Sequence, residues 1–508
     1  MSESTPLPHP SSTRLSRLRN WISLAGMVLA LAAFFAFLML FGMDLFATHA
    51  NPYMGILAYV VAPMFLIAGL VMVLVGYILE TRRVRKGVDD GGSHLVLHIN
   101  LARKRDRRLL VGFIGGSLGF LFLTALGSYQ TYHMTETNSF CGETCHTSMD
   151  PQFQAYSHSA HAQVACVACH VGPGAGAYIR TKVSGVRQLY HTILGDFSRP
   201  IQLHNVNQRP AMETCQSCHW AKKHTGDLQK TYKHFLADET NTPFTVAMIL
   251  KVGGSDPVRG PVEGIHSHMN VANKVEFIAT DPDRLKIPWV KVTDANGKAT
   301  IYKTADFKDD PAKHPIRSMD CMDCHNRPSH KFMTPNAAVD QSLAFARLDP
   351  AMPWAKLKVV NALTGKIGAE GEAAVTYTTR EDAEAKIEAY LRKEYPDDKR
   401  IEAMVTEAKA IYKINFFPEM KADWRVHPDH IGHKDTNGCF RCHDGQHFAE
   451  DGKTAIKGSD CNACHLIVAQ GSGEALEKVS PKGVPFFHID SENTEPNCAE
   501  CHTGQNQE

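Results

Sequence analysis

The chain has 508 residues, with 54 basic and 53 acidic side chains and a formal net charge of +1. So even a balance gives no pull toward nucleic acid or another polyanion, which argues against that class of partner. The length is enough for several domains.

Three apolar runs come first: Trp21 to Met43, Gly55 to Leu79 and Leu109 to Tyr129. Each is long enough to cross a bilayer core, which takes ~20 residues as a helix. A signal peptide fits poorly, because its apolar region is usually only ~7–15 residues. The basic residues set the orientation. Arg14, Arg17 and Arg19 precede the first run, and the loop over 80–108 carries Arg82, Arg83, Arg85, Lys86, Arg103, Lys104, Arg105, Arg107 and Arg108. The short loop from Thr48 to Tyr53 has neither Lys nor Arg. Residues 1–20 therefore read as a cytoplasmic tail, and 21–129 as a three-span anchor with a cytoplasmic basic loop. Everything after Tyr129 then lies on the outer side of the membrane. No run holds an internal His, so nothing points to a b-type haem inside the bilayer.

Next come seven motifs that use all 14 cysteines. The first is Cys141-Gly-Glu-Thr-Cys145-His146, followed by Cys166-Val-Ala-Cys169-His170, Cys215-Gln-Ser-Cys218-His219 and Cys321-Met-Asp-Cys324-His325. The last three are Cys439-Phe-Arg-Cys442-His443, Cys461-Asn-Ala-Cys464-His465 and Cys498-Ala-Glu-Cys501-His502. Six read C-x-x-C-H, the c-type haem attachment pattern, and the first has one extra residue. Two thiols add to the porphyrin vinyl groups, and the adjacent His reaches the iron from one face. Zinc clips and disulfides would not need a His after every second Cys. Seven covalently bound haem c groups are expected.

The motifs divide the outer part. Residues 130–240 hold motifs one to three, 313–335 hold motif four, and 426–508 hold motifs five to seven. Between them, 241–312 reads as a β-rich insert. Lys274-Val-Glu-Phe-Ile alternates, and Trp289 to Thr293 and Lys298 to Tyr302 read as a hairpin turning at Asn296-Gly297. Residues 336–425 read as a helical insert. Ile401, Met404, Val405, Ala408 and Ile411 fall on one helical face, and Pro396 separates that helix from one around Ile387 and Leu391. The fold class is mainly α and irregular: three transmembrane helices, then a haem-packed region with little regular structure beyond short helices.

The motif histidines supply one ligand each: His146, His170, His219, His325, His443, His465 and His502. Histidines outside the motifs are numerous enough to supply the opposite face of every iron, which favours low-potential bis-His haems. His224 and His330 each follow a motif His by five residues, His447 follows His443 by four, and His430 and His433 precede motif five. Each is either a sixth ligand or a solvated surface histidine.

The stretches Cys145-His146-Thr-Ser-Met149-Asp-Pro-Gln-Phe, Tyr156-Ser-His158-Ser-Ala-His161-Ala and Cys166-Val-Ala-Cys169-His170 resemble the NapC/NirT/NrfH family of membrane-anchored quinol dehydrogenases. Motif four, followed by His330, is similar to that family's fourth haem. The resemblance implies that the first haem takes electrons from menaquinol or ubiquinol near the membrane boundary. It also implies that Met149 ligates that haem, that His161 ligates a neighbouring one, and that Arg180 and Lys182 help form the quinol pocket. The chain departs from the family in having three spans and seven motifs rather than one and four, and in its longer first motif. Arg187 stands where an acidic residue is expected ahead of His191. The layout is closer to the seven-haem, three-span inner-membrane cytochromes of metal-respiring bacteria.

The function this implies is quinol oxidation at a bacterial inner membrane, with the haem region in the periplasm and electrons leaving for periplasmic cytochromes or a reductase. Its partners are the quinone pool, the lipid bilayer and those redox proteins, with a second copy of the chain as a further candidate. Two rivals are a membrane-tethered electron wire without its own quinone site and a terminal multihaem reductase. The latter needs an open iron, and no C-x-x-C-K motif is present.

Overall fold

The computed structural model describes the chain apart from residues 1–19, 47–56, 86–101, 145, 172–174, 202–210, 220–225, 254–263, 270–272, 370, 457, 459–460, 490–501 and 503–508. The chain divides into two compact units, 1–144 and 145–508. The boundary falls inside the first motif.

The first unit is helical. Helices α1 (Trp21–Phe46) and α2 (Ala62–Arg85) pack closely, with a π turn (Leu57–Val61) ahead of α2. Small residues make that approach possible: a Cβ on Gly26 would lie 2.6 Å from the Gly69 carbonyl oxygen. Such small-residue contacts let apolar helices associate where lipid gives no hydrophobic drive. Asn20 Nδ2 donates to the Gly76 carbonyl at 2.9 Å, adding a polar tie. Among the described residues two segments are long and apolar enough to cross a membrane, Trp21–Gly42 and Leu57–Arg83. The third apolar run lies within α3 (Lys104–Met134), which begins with four basic residues in its first five.

The second unit has two antiparallel sheets and a helical core. β1 (Leu228–Phe235), β2 (Pro243–Leu250) and β8 (His465–Gly471) form a three-stranded sheet in the order β1-β2-β8. β3 (Lys274–Ile278), β4 (Trp289–Thr293), β5 (Ala299–Lys303), β6 (Arg317–Ser318) and β7 (Phe448–Ala449) form a second sheet, ordered β6-β3-β4-β5-β7. Its β4–β5 hairpin turns where Asp294 Oδ1 accepts from the Asn296 and Lys298 amides, both at 2.9 Å. Successive residues of β3 point to opposite faces. Val275 and Phe277 accordingly join one buried cluster and Ile278 another.

The main core belongs to the helical insert. α9 (Pro335–Ala344), α10 (Ala355–Thr364), α11 (Arg380–Glu394) and α12 (Ile401–Asn415) bury Val339, Leu343, Val359, Leu363, Ile387, Leu391 and Met404 together. The stripe of α12 is buried at all five predicted positions. Thr379 caps α11, accepting from the Asp382 amide at 3.1 Å.

Three elements differ from the expectation of little regular structure around the motifs. β1 is an eight-residue strand inside the segment 130–240. α6 (Ala175–Leu194) is a 20-residue helix, because Val183, Val186, Tyr190, Ile193 and Leu194 recur at helical spacing. β8 begins at the motif histidine His465 itself, where Leu466-Ile467-Val468 is a run of strand formers.

Candidate haem-binding site

Among the described residues, the motif segments form tight turns. Cys166–His170 (α5), Cys321–Cys324 (α8) and Cys461–Cys464 (α13) are single helical turns, in which residues i and i+3 share a face. α7 (Ala211–Cys215) leads into motif three, and a 3-10 turn over Gly438–Arg441 carries motif five. α8 is capped from both directions: Asp320 Oδ1 accepts from the Met322 amide at 2.7 Å, and Asp323 Oδ2 accepts from the Asp320 amide at 2.7 Å. In the first motif a π turn spans Phe140–Thr144. α4 (His146–Ser157) follows, with Met149 half-buried one turn beyond His146. Cys145, Cys498 and Cys501 lie outside the described residues.

Six motif histidines each face a second histidine. The ring-centre separations are 6.2 Å for His170 and His330, 5.8 Å for His219 and His161, and 6.3 Å for His325 and His266. They are 5.8 Å for His443 and His268, 6.2 Å for His465 and His433, and 5.9 Å for His502 and His488. A metal–nitrogen bond of ~2 Å, with ~1.2 Å from that nitrogen to the ring centre, puts two trans imidazoles ~6.3 Å apart. The six separations fit an iron held between each pair.

Hydrogen bonds orient three of the partners. Nδ1 of His161 donates to the Pro328 carbonyl at 3.1 Å, His330 to that of Gln152 at 2.9 Å, and His268 to that of Ile265 at 2.6 Å. A carbonyl can only accept, so each ring keeps its lone pair on Nε2, the arrangement seen in metal-bound histidines. Burial also keeps several of these rings neutral, which is the ligating form. It lowers His170, His433 and His465 from the usual value and pushes His330 down to about 4.

The pairs cross-link distant segments, and neighbouring motifs touch. Cys321 Sγ of motif four lies 3.9 Å from Met212 Sδ, in the helix that leads into motif three. Arg441, inside motif five, donates to the Asp323 carbonyl of motif four at 2.7 Å and to the Arg284 carbonyl at 2.9 Å. It also donates to the Gly438 carbonyl at 2.7 Å and to Nδ1 of His430 at 3.0 Å. Arg284 completes this junction by pairing with the buried Asp323 carboxylate. Asp150, beside Met149, is held by Arg380 of the helical insert at 2.6 Å.

One candidate ligand is corrected. His447 is buried, with Nδ1 on Asp444 at 2.8 Å and Nε2 on the Ile287 carbonyl at 2.6 Å. Burial lowers its pKa, but Asp444 and the carbonyl outweigh that and raise it. A ring donating from both nitrogens has no lone pair for iron, so His447 braces the second sheet instead. His224 lies outside the described residues. His161 and His330 each face a motif histidine. His266, His268, His433 and His488 face the remaining ones; of these only His433, which precedes motif five, has a suggestive spacing in the sequence. The signal available in the sequence was the pair His266-Ser-His268, two histidines two residues apart inside a strand-rich insert.

Residues 103–234 match the NapC/NirT cytochrome c family, N-terminal region. The chain is 35% identical to the cytochrome c-type protein ImcH of Geobacter sulfurreducens over 499 residues, covering 96% of this chain and 95% of that protein. The chain belongs to the NapC/NirT cytochrome c family. It is also 31% identical over 111 residues to a putative tetraheme cytochrome-c type protein of Allochromatium vinosum, covering 20% of this chain and 56% of that one. No solved structure matches it. The chain is thus a membrane-anchored multihaem c-type cytochrome of the NapC/NirT type, a protein of electron transport.

Proposed function

We propose that this cytochrome is a quinol dehydrogenase of the bacterial inner membrane. Three N-terminal spans anchor it, and seven covalent haems lead from the quinol site to a periplasmic acceptor. The observation that carries this reading is α6. Its residues Val183, Val186, Tyr190, Ile193 and Leu194 form an apolar stripe 59–74% exposed, with Arg180 and Arg187 also exposed and Lys182 half-buried. An amphipathic helix with basic flanks fits the lipid headgroup boundary, where a quinol with an apolar tail would arrive.

Bound haem supplies one-electron chemistry at a potential set by its axial ligands. The chain's residues do the rest. Arg180 and Lys182 hold the quinol oxygens, and the apolar stripe accommodates its tail. Each quinol becomes a quinone, releasing two protons to the outer side and passing on two electrons. Met149 would offer a thioether to the first iron, where a ligand weaker than imidazole would favour electron entry. The six histidine pairs would hold the irons of motifs two to seven.

Substituting Met149→His tests the entry point. A stronger donor lowers the potential there, and each ~59 mV lost makes the first transfer about tenfold less favourable. Quinol oxidation should slow with haem content intact, as judged by the pyridine haemochrome. An unchanged rate removes Met149 from the mechanism.

A further inference from the structure

We infer that His266 and His268 are sixth ligands to two different haems, those of motifs four and five, so that one turn of the β-rich insert fixes the junction between the haem groups. The two histidines lie on a 3-10 turn spanning Ile265–Met269. At three residues per turn, positions i and i+2 project ~120° apart and cannot meet the same iron. They do not: the ring of His266 faces His325 at 6.3 Å, and that of His268 faces His443 at 5.8 Å.

The turn is held firmly. The Ile265 amide donates to the Lys251 carbonyl at 2.8 Å, and the His266 amide to that of Val252 at 3.1 Å. Gly264 adopts φ +88°, and a Cβ there would lie 2.6 Å from the Lys251 oxygen, so the position requires glycine. The Lys251 amide in turn donates to the carbonyl of Cys464 in motif six at 2.8 Å. One short segment therefore touches the ligand spheres of motifs four and five and the backbone of motif six. On the protein side of the same junction, Arg441 ties motif five to Asp323 of motif four. The two attachments together set the relative placement of motifs four and five.

This inference rests on the haem-binding reading above but not on quinol oxidation, because its test reads spin state. Oxidised holoprotein carrying His266→Ala, His268→Ala or both would be examined by electron paramagnetic resonance and visible absorbance. Each single variant should convert one haem in seven from low to high spin, and the double variant two. Added imidazole should restore low spin. If the alanine variants fail to mature, His266→Met and His268→Met decide: each should remain low-spin and gain one haem's worth of sulfur-to-iron charge-transfer absorbance. Unchanged spectra in either single variant, or a single variant that alters two haems, would overturn the inference. A protein that passes this test yet is not reduced by quinol would keep the junction and lose the dehydrogenase reading.

Discussion

Replacing His330 by alanine should leave the iron of motif two with a single histidine and convert that haem to high spin. His330 is the partner of His170 at 6.2 Å, and it is held by the Gln152 carbonyl at 2.9 Å. Burial holds its pKa near 4, so it stays neutral across the physiological range. Loss of an imidazole donor raises the iron's potential, and each ~59 mV makes onward transfer about tenfold less favourable. Electrons entering from quinol should therefore collect at this haem. Stopped-flow absorbance would show fast reduction of a small fraction of the haem and slow reduction of the rest. A variant that stays fully low-spin would show that His330 is not the ligand.

Replacing Arg441 by alanine should destabilise the haem-bearing unit by about 3 kcal/mol, since buried hydrogen bonds from a charged donor contribute ~1.5–3 kcal/mol each. The side chain is buried and donates to three carbonyls, those of Gly438, Arg284 and Asp323. Removing it strands those acceptors, although deleting a buried charge returns part of the cost. Arg441→Lys would recover little, because one ammonium cannot reproduce the planar fork. Thermal unfolding of the holoprotein, followed by circular dichroism, would measure the difference. Arg380→Ala makes a useful comparison: its pairing with Asp150 is partly solvent-exposed, and such pairs contribute ~0–1 kcal/mol. Equal stabilities for Arg441→Ala and the parent would remove the proposed junction between motifs four and five.

The attachment chemistry was legible in the sequence because it is local: Cys, Cys and His within five or six residues admit few other readings. The β4–β5 hairpin and the α12 stripe were legible for the same reason, since periodicity and turn residues act over short range. The second ligands were not. His268 reaches His443 across 175 positions, and no local pattern encodes such a pairing. His447 was misleading because its spacing from His443 looked purposeful, while Asp444, three residues away, had the stronger claim on its ring. α6 was missed for a different reason. Its stripe follows helical spacing, but a region dense with cofactor motifs was expected to be irregular.

The most direct measurement is anaerobic mixing of the purified holoprotein with a reduced menaquinone analogue, followed at the haem bands. The account predicts rapid reduction without any added protein. It also predicts that the extent reached with quinol approaches that reached with dithionite for the haems whose potentials permit it. No reduction by quinol, with full reduction by dithionite, would contradict the account and leave a membrane-tethered wire fed by another protein.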